Sequence, residues 1–255
     1  IAFAIVRGGW PASIGESEKI ALRHAIDYVE AIINADVSRV DGIEKNPVRV
    51  RALLRSLSRN ISTLATIRTI HDDIAMGDAD ESISEKTISQ YLGALDRIFV
   101  TENLPAWNPA LRSKTAIRTS PKRQFVDPSI AAAVLRLTPS RLLEDFNYFG
   151  FLFESLCDRD LRIYAEAIDG QVFHYRDGSG LEADAVIALN DGRWAAVEVK
   201  LGSKEIEDAA VHLLELKNKV NTEKMREPSF LMILTGSEIA YRREDGVYVV
   251  PLGCL

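Results

Sequence analysis

The chain has 255 residues, room for about two ordinary domains. Hydrophobic residues make up 47% and charged residues 27%, globular proportions that exclude a disordered tail, a collagen-like fibre and a coiled-coil rod. No apolar run approaches the ~20 residues of a bilayer crossing, so no membrane partner is expected. Two cysteines, Cys157 and Cys254, are too few for a disulfide framework or a four-cysteine zinc site, and a reducing, cytoplasmic setting is expected. The chain opens with Ile1 rather than Met, and its first six residues lack the length and basic flank of a signal segment. The expectation is the C-terminal part of a longer protein.

The net charge of −6 argues against a polyanionic partner, but its distribution argues the other way. Residues 49–71 hold Arg49, Arg51, Arg55, Arg59 and Arg68 and no acid. Residues 103–123 hold Arg112, Lys114, Arg118, Lys122 and Arg123, again with no acid. Segregated basic surface of this kind neutralises phosphates even on an acidic molecule. The alternative is a solvated helix face and a loop, or pairing with acids elsewhere in the chain.

Residues 16–40 read as one or two helices, with Ile20, His24, Ile26, Val29, Ile32 and Ile33 at helical spacing. Pro47 opens a helix through Val50, Leu53, Leu54 and Leu57. A third helical stretch, 62–76, ends at Gly77, and 78–82 reads as a turn. Ser82 and Glu85 have capping-box spacing before a helix with Ile88, Tyr91, Leu92, Leu95 and Ile98 on its apolar side. Extended stretches follow at 99–107 and 117–126. Three helices and a strand pair make the winged-helix pattern, with 84–90 starting the recognition helix and 108–116 as the wing. An apolar, aromatic helix over 142–161 then carries one acid, Glu154, near its middle.

The remainder alternates as strands at 172–176, 181–189, 194–201, 230–234 and 247–250, with a helix over 204–220. Strands joined by a helical crossover make this half an α/β unit. Its informative feature is the turn Asn190-Asp191-Gly192. A three-residue loop with Gly192 in a left-handed conformation sets the register of the flanking strands. Asp184 then faces Glu198, and Glu182 faces Lys200. Two opposed carboxylates repel unless a cation lies between them, and an all-oxygen site suits magnesium or manganese. Lys200, two residues beyond Glu198, points to the same place. The alternative is a surface hairpin with a salt-bridge ladder. Glu215-Leu216-Lys217 repeats the acid-x-lysine spacing, but in a predicted helix and with no opposed aspartate.

The four histidines, His24, His71, His174 and His212, show no ligand spacing. No segment has the Gly-x4-Gly-Lys-Ser/Thr phosphate loop, so ATP is expected to bind only in a preceding core.

Asp184 and Glu198-Val199-Lys200, with Glu154 on the preceding helix, resemble the PD-(D/E)XK nuclease superfamily. The whole chain resembles the C-terminal part of a family of prokaryotic AAA+ ATPases that carry a C-terminal domain of unknown function. Gly8-Gly9-Trp10-Pro11 is similar to that family's Gly-Gly-aromatic-Pro signature in its helical lid. Ser120-Pro121-Lys122 with Phe125-Val126-Asp127 resembles its stretch between winged helix and nuclease-like domain. The resemblance implies a multi-domain α/β chain: a helical lid-like segment over 1–46, a winged helix over 47–127 and a restriction-endonuclease-like domain over 128–255. It implies Asp184, Glu198 and the Val199 carbonyl as Mg2+ or Mn2+ ligands. Lys200 then orients or activates water, and Glu154 assists. Ala185 departs from the family's bulky aromatic after the aspartate.

Two readings follow. One is a magnesium-dependent nuclease acting on nucleic acid, DNA ahead of RNA, held through Arg112, Lys114, Arg118, Lys122 and Arg123. The other is a non-catalytic module of the same ATPase that binds nucleic acid or protein. By the same resemblance, AAA+ cores often assemble into homo-oligomeric rings.

Overall fold

The computed structural model describes residues 1–40, 45–77, 83–110, 112 and 114–255. Two compact units emerge. The first comprises Ile1–Asn103 and Lys122–Ser155, the second Leu104–Pro121 and Leu156–Leu255. This division differs from the expected boundaries at residues 46 and 127, because chain segments are exchanged between the units. Among the described residues, no helix is long and apolar enough to cross a membrane.

The first unit is helical. It begins with α1 (Ala2–Arg7), α2 (Glu18–Ala21) and α3 (Arg23–Ala31), which continues through a π turn, Ile32–Asp36, into α4 (Val37–Arg39). The buried stripe here is Ala21, Ala25, Val29, Ile32, Ile33 and Val37, while Ile20 and Ile26 are 49% and 40% exposed. The expected apolar face is thus rotated, because small alanines let the helix approach its neighbours closely.

Helix α5 (Pro47–Arg59) starts as expected. Pro47 fills the first turn, and the Asn46 side chain accepts from the Val48 and Arg49 amides. Helix α6 (Ile67–Gly77) starts later than expected, since Ser62 has φ 58° and its amide donates to the Arg123 carbonyl. Helix α7 (Glu85–Arg97) is capped by Ser84, whose hydroxyl accepts from the Thr87 amide, and it buries Ile88, Tyr91, Leu92 and Leu95. Ser82 and the expected turn over 78–82 lie outside the described residues.

The three helices of the winged-helix reading are present, and the two extended stretches after them meet antiparallel at their outer ends. Thr101 bridges Phe125, the Glu102 amide donates to the Gln124 carbonyl at 3.1 Å and the Val126 amide to the Val100 carbonyl at 3.2 Å. The segment between them belongs to the second unit, bridging Ala106 to His174 and Ile117 to Asp177. The described residues of the wing drawn over 108–116 dock on the second unit, where the Arg112 amide donates to the Lys219 carbonyl and the Ala116 carbonyl accepts from the Gly178 amide; residues 111 and 113 lie outside the described residues. Burial explains the difference: Trp107 packs against Trp194 and Tyr175 at 4.7 and 6.2 Å between ring centroids, a larger apolar contact than a solvated hairpin offers.

Helix α8 (Pro128–Val134), expected to open the nuclease-like domain, instead packs against α1, α3 and α5 in the first unit. Ile130, Ala131 and Ala132 are fully buried there. One carboxylate fastens it. Asp127 Oδ1 accepts from the Ser129 amide as a helix cap, and Oδ2 accepts from the Gly9 amide at 2.9 Å. Trp10 Nε1 donates to Ser129 Oγ at 2.9 Å. The Gly-Gly-Trp-Pro segment and the Asp127 region thus form a clasp. Helix α9 (Pro139–Leu142) follows, and α10 (Phe146–Glu166) runs from the first unit's sequence into the second's.

The second unit is a six-stranded mixed sheet with order β1-β2-β3-β4-β6-β5. Its strands are β1 (Gly170–Arg176), β2 (Glu182–Leu189), β3 (Trp194–Lys200), β4 (Leu231–Thr235), β5 (Tyr241–Arg242) and β6 (Tyr248–Pro251). The first three pair antiparallel; β3, β4 and β6 run parallel, with α11 (Ile206–Lys219) crossing from β3 to β4. Trp194, Ala196, Ile233 and Val249 meet Ile206, Ala209, Leu213 and Leu216 in one core.

Gly8 tests the clasp. Its φ of 78° and ψ of 178° lie in a region essentially restricted to glycine, and an added Cβ would meet Ser129 Oγ, Trp10 Nε1 and Asp127 Oδ1, all within 2.8 Å. Gly8→Ala should cost about 2 kcal/mol or more and lower the Tm by several degrees in thermal melting.

Candidate active site on the second unit

The β2–β3 hairpin turns through Asn190, Asp191 and Gly192, with Gly192 at φ 83°. The Leu189 amide donates to the Arg193 carbonyl at 2.8 Å, closing the loop. Ala188 pairs with Trp194, Val186 with Ala196 and Ala185 with Val197. Continued by one residue, that register sets Asp184 across from Glu198. The regular pairing ends there, and the Val199 amide donates instead to Asp184 Oδ2 at 2.8 Å.

Alternation along β3 places Ala196, Glu198 and Lys200 on one face. Glu198 is 1% exposed, and its Oε1 is buried without a hydrogen-bond partner. Lys200 Nζ stands 2.9 Å from Glu198 Oε2 and 3.8 Å from Asp184 Oδ2. Burial, with the facing Asp184 charge second, pushes the Glu198 carboxyl well above the usual carboxylate range; Lys200 only partly opposes this. The three side chains gather at the carboxyl end of β3, beside the parallel strand β4, where open α/β sheets form crevices.

Could these residues hold a metal? Among the described residues no group of three or more His, Cys, Asp or Glu side chains is arranged for it. Two carboxylates and a backbone carbonyl still fit magnesium, which keeps several waters and needs one or two carboxylates. The orphaned Glu198 oxygen is the observation in favour.

The other expected site residues fall partly in the first unit and partly in the second. Glu154 lies in the first unit, where its Oε1 accepts from Lys122 Nζ at 2.5 Å. Lys122, expected on a phosphate-binding surface, is 7% exposed. Arg123 is also in the first unit and donates through Nε to the Ala65 carbonyl. Arg112, Lys114 and Arg118 are exposed on the second unit, and Arg112 donates to the Val220 carbonyl and Thr222 Oγ1. Glu215 and Lys217 sit on helix α11, as the competing acid-x-lysine match predicts.

A second buried carboxylate escaped the sequence reading. Asp177 accepts from Tyr175 Oη, from the Ser179 amide and hydroxyl, and from Lys219. Burial pushes its carboxyl up, but the Lys219, Ser179 and Tyr175 hydrogen bonds outweigh it and hold the group below the usual range. These hydrogen bonds tie the turn after β1 to the end of α11. Only the spacing of Asp177 and Ser179, that of an Asx turn, signals it in sequence.

Residues 1–141 match the family model described as a domain of unknown function, DUF8612. The chain belongs to the DUF8612 family. Residues 149–255 of this DUF8612 chain match a second domain of unknown function, DUF4143, which is found in AAA-ATPase-associated proteins and relates the chain to them. No curated protein matches the sequence. Among solved structures, a half-complex from a tetradecameric assembly of Thermococcus gammatolerans McrB AAA+ hexamers with bound McrC is 11% identical. It covers 78% of this chain and 70% of that chain with a TM-score of 0.30, too low to support an argument.

The buried carboxyl gives a pH test in the presence of a chelator. Because the folded-state pKa of Glu198 is raised, the folded chain holds a proton that the unfolded chain releases above about pH 4.3. The stability this contributes is present below that value and is lost as pH rises through the raised one, by about 1.4 kcal/mol per unit of separation. Glu198→Gln should remove this loss. Urea unfolding of both proteins at several pH values, with the variant as slope reference, measures it; parallel profiles would show that Glu198 titrates normally.

Proposed function

We propose that the second unit is a nuclease-like domain that hydrolyses nucleic-acid phosphodiesters with Mg2+ or Mn2+, as part of an AAA+ family ATP-binding protein. The observation that carries this reading is Glu198: a carboxylate on a central strand, buried, with one unpartnered oxygen, set across from Asp184 and beside Lys200. A structural ion pair has no need of a second acid pointed at the first.

In this reading Asp184, Glu198 and the Val199 carbonyl hold the ion. When bound, it polarises a phosphoryl oxygen and lowers the pKa of a coordinated water. Lys200 supplies a point charge for negative charge that builds up on the phosphate, and it orients the attacking water. Val199, by donating to Asp184 Oδ2, fixes the carboxylate's orientation. Glu154, engaged by Lys122, has no assigned part. Arg112, Lys114 and Arg118 supply the phosphate-contacting charge of the same unit.

Manganese should raise the Tm of the parent and leave Glu198→Gln unmoved. Lys200→Ala should keep the manganese response and lose cleavage of a panel of single- and double-stranded DNA and RNA. Stabilisation by metal without cleavage of any substrate would favour the non-catalytic binding module. A Glu198→Gln variant that responds like the parent would remove the site.

The cationic segment is tested separately. Changing Arg112, Lys114 and Arg118 together to alanine should weaken oligonucleotide binding and flatten the plot of log affinity against log salt by about three units. An unchanged slope would place the contact surface elsewhere.

A further inference from the structure

Lys200 stands against both carboxylates of the candidate site. Its ammonium lies 2.9 Å from Glu198 Oε2 and 3.8 Å from Asp184 Oδ2, between the two carboxylates that would share an ion. Residues 198 and 200 share a strand face, so the lysine stem runs along β3 toward its own glutamate rather than away from it. Lys200 is 24% exposed and Glu198 is 1% exposed, so this pairing takes place largely out of water, where charges are weakly screened.

We propose that Lys200 is the resident cation of the metal-free site and competes with the divalent ion, so that metal loading requires the ammonium to leave Glu198 and Asp184. This rests on the metal-site reading above. The argument is one of charge and space. The ammonium brings one positive charge to two facing carboxyl groups, and that one charge cannot balance both when they are ionised. It also occupies the oxygens a shared divalent ion needs: Glu198 Oε2, and Asp184 Oδ2, which the Val199 amide already holds in place. An ammonium left at that spot beside a divalent ion is strongly repelled. Glu198 Oε1 is buried without a hydrogen-bond partner, so it stays unsatisfied while the ammonium holds Oε2.

The competition has a functional consequence. While it bridges the carboxylates, Lys200 is unavailable to a phosphate; once displaced, its ammonium is released from both of them at the rim of the same site. Metal loading and delivery of the lysine to substrate are then a single event, and productive substrate binding follows the metal rather than preceding it.

The test is Mn2+ binding by the full 255-residue chain, read from the electron paramagnetic resonance signal of free manganese, for the parent, Lys200→Met and Glu198→Gln. Methionine keeps an unbranched stem of similar length and removes the charge. Lys200→Met should bind Mn2+ about tenfold more tightly than the parent, because the repelled charge is gone. Its metal-free Tm should be lower and its manganese-induced rise in Tm larger. Lys200→Gln, which retains a hydrogen-bond donor, should show the same tightening and serves if the methionine variant fails to fold. Equal or weaker Mn2+ binding in both lysine variants, with parent binding that Glu198→Gln removes, would overturn the competition and leave the metal site standing. No Mn2+ binding by the folded parent or by either lysine variant would overturn both.

Discussion

Glu198 sits on a strand paired on both sides, with one carboxylate oxygen buried and unpartnered. A charge in that setting costs several kcal/mol unless it is closely paired, and the features around it answer to that cost. The rest of β3 is apolar: Trp194, Ala195, Ala196, Val197 and Val199 are all buried, so without Glu198 it reads as an ordinary core strand. Lys200 offsets part of the charge from the end of the same strand. The crossover through α11 covers the apolar portion of the face with Ala209, Leu213 and Leu216. Stability thus comes from the middle of the sheet, and the unfavourable charges are confined to its carboxyl end. That is the division of labour expected of a site built on rigid elements.

The first unit depends on a different carboxylate. Asp127 uses both oxygens, one to cap α8 and one to hold the Gly9 amide, joining segments 118 residues apart in sequence. Glycine at position 8 is the condition for that approach, since any side chain there would strike the cap itself. The Gly-Gly-Trp-Pro motif and the Asp127 region, which in sequence look like two separate signatures, are the halves of one structural closure. Their shared chemistry is packing and capping rather than ligand binding.

How much of this was legible follows from the range of the interactions involved. The hairpin register could be read from three residues, because a short loop with a left-handed glycine dictates which side chains face each other. Helix α5 was legible from Pro47 and its leucine spacing, and the apolar face of α7 from Ile88 to Leu95. The α3 stripe was misjudged because alanines carry little hydrophobic signal yet pack closest. The docking of Trp107 and of α8 was not legible for a non-local reason: each buries against elements distant in sequence, and no local pattern announces which. Glu154 and Lys122 were read from opposite lists, acid and base, but a mutual ion pair is invisible until the chain is folded.

Burial also redraws the electrostatics. The acid-free run from residue 103 to 123 looks like one basic surface, but Trp107 carries its first part into the second unit while Lys122 and Arg123 remain in the first. Lys122 is then cancelled by Glu154, and Arg123 is half-buried against the Ala65 carbonyl. What remains on the unit that carries the carboxylate site is Arg112, Lys114 and Arg118. Arg112 is braced by a carbonyl and a hydroxyl, neither of which neutralises it, so its guanidinium keeps its full charge in a fixed place. A pre-positioned cation of that kind loses less conformational entropy on meeting a phosphate than a free lysine does. The charge that matters for a polyanion is therefore neither the net −6 of the chain nor the full cationic run. It is the part of that run that a buried tryptophan assigns to the unit carrying the candidate site.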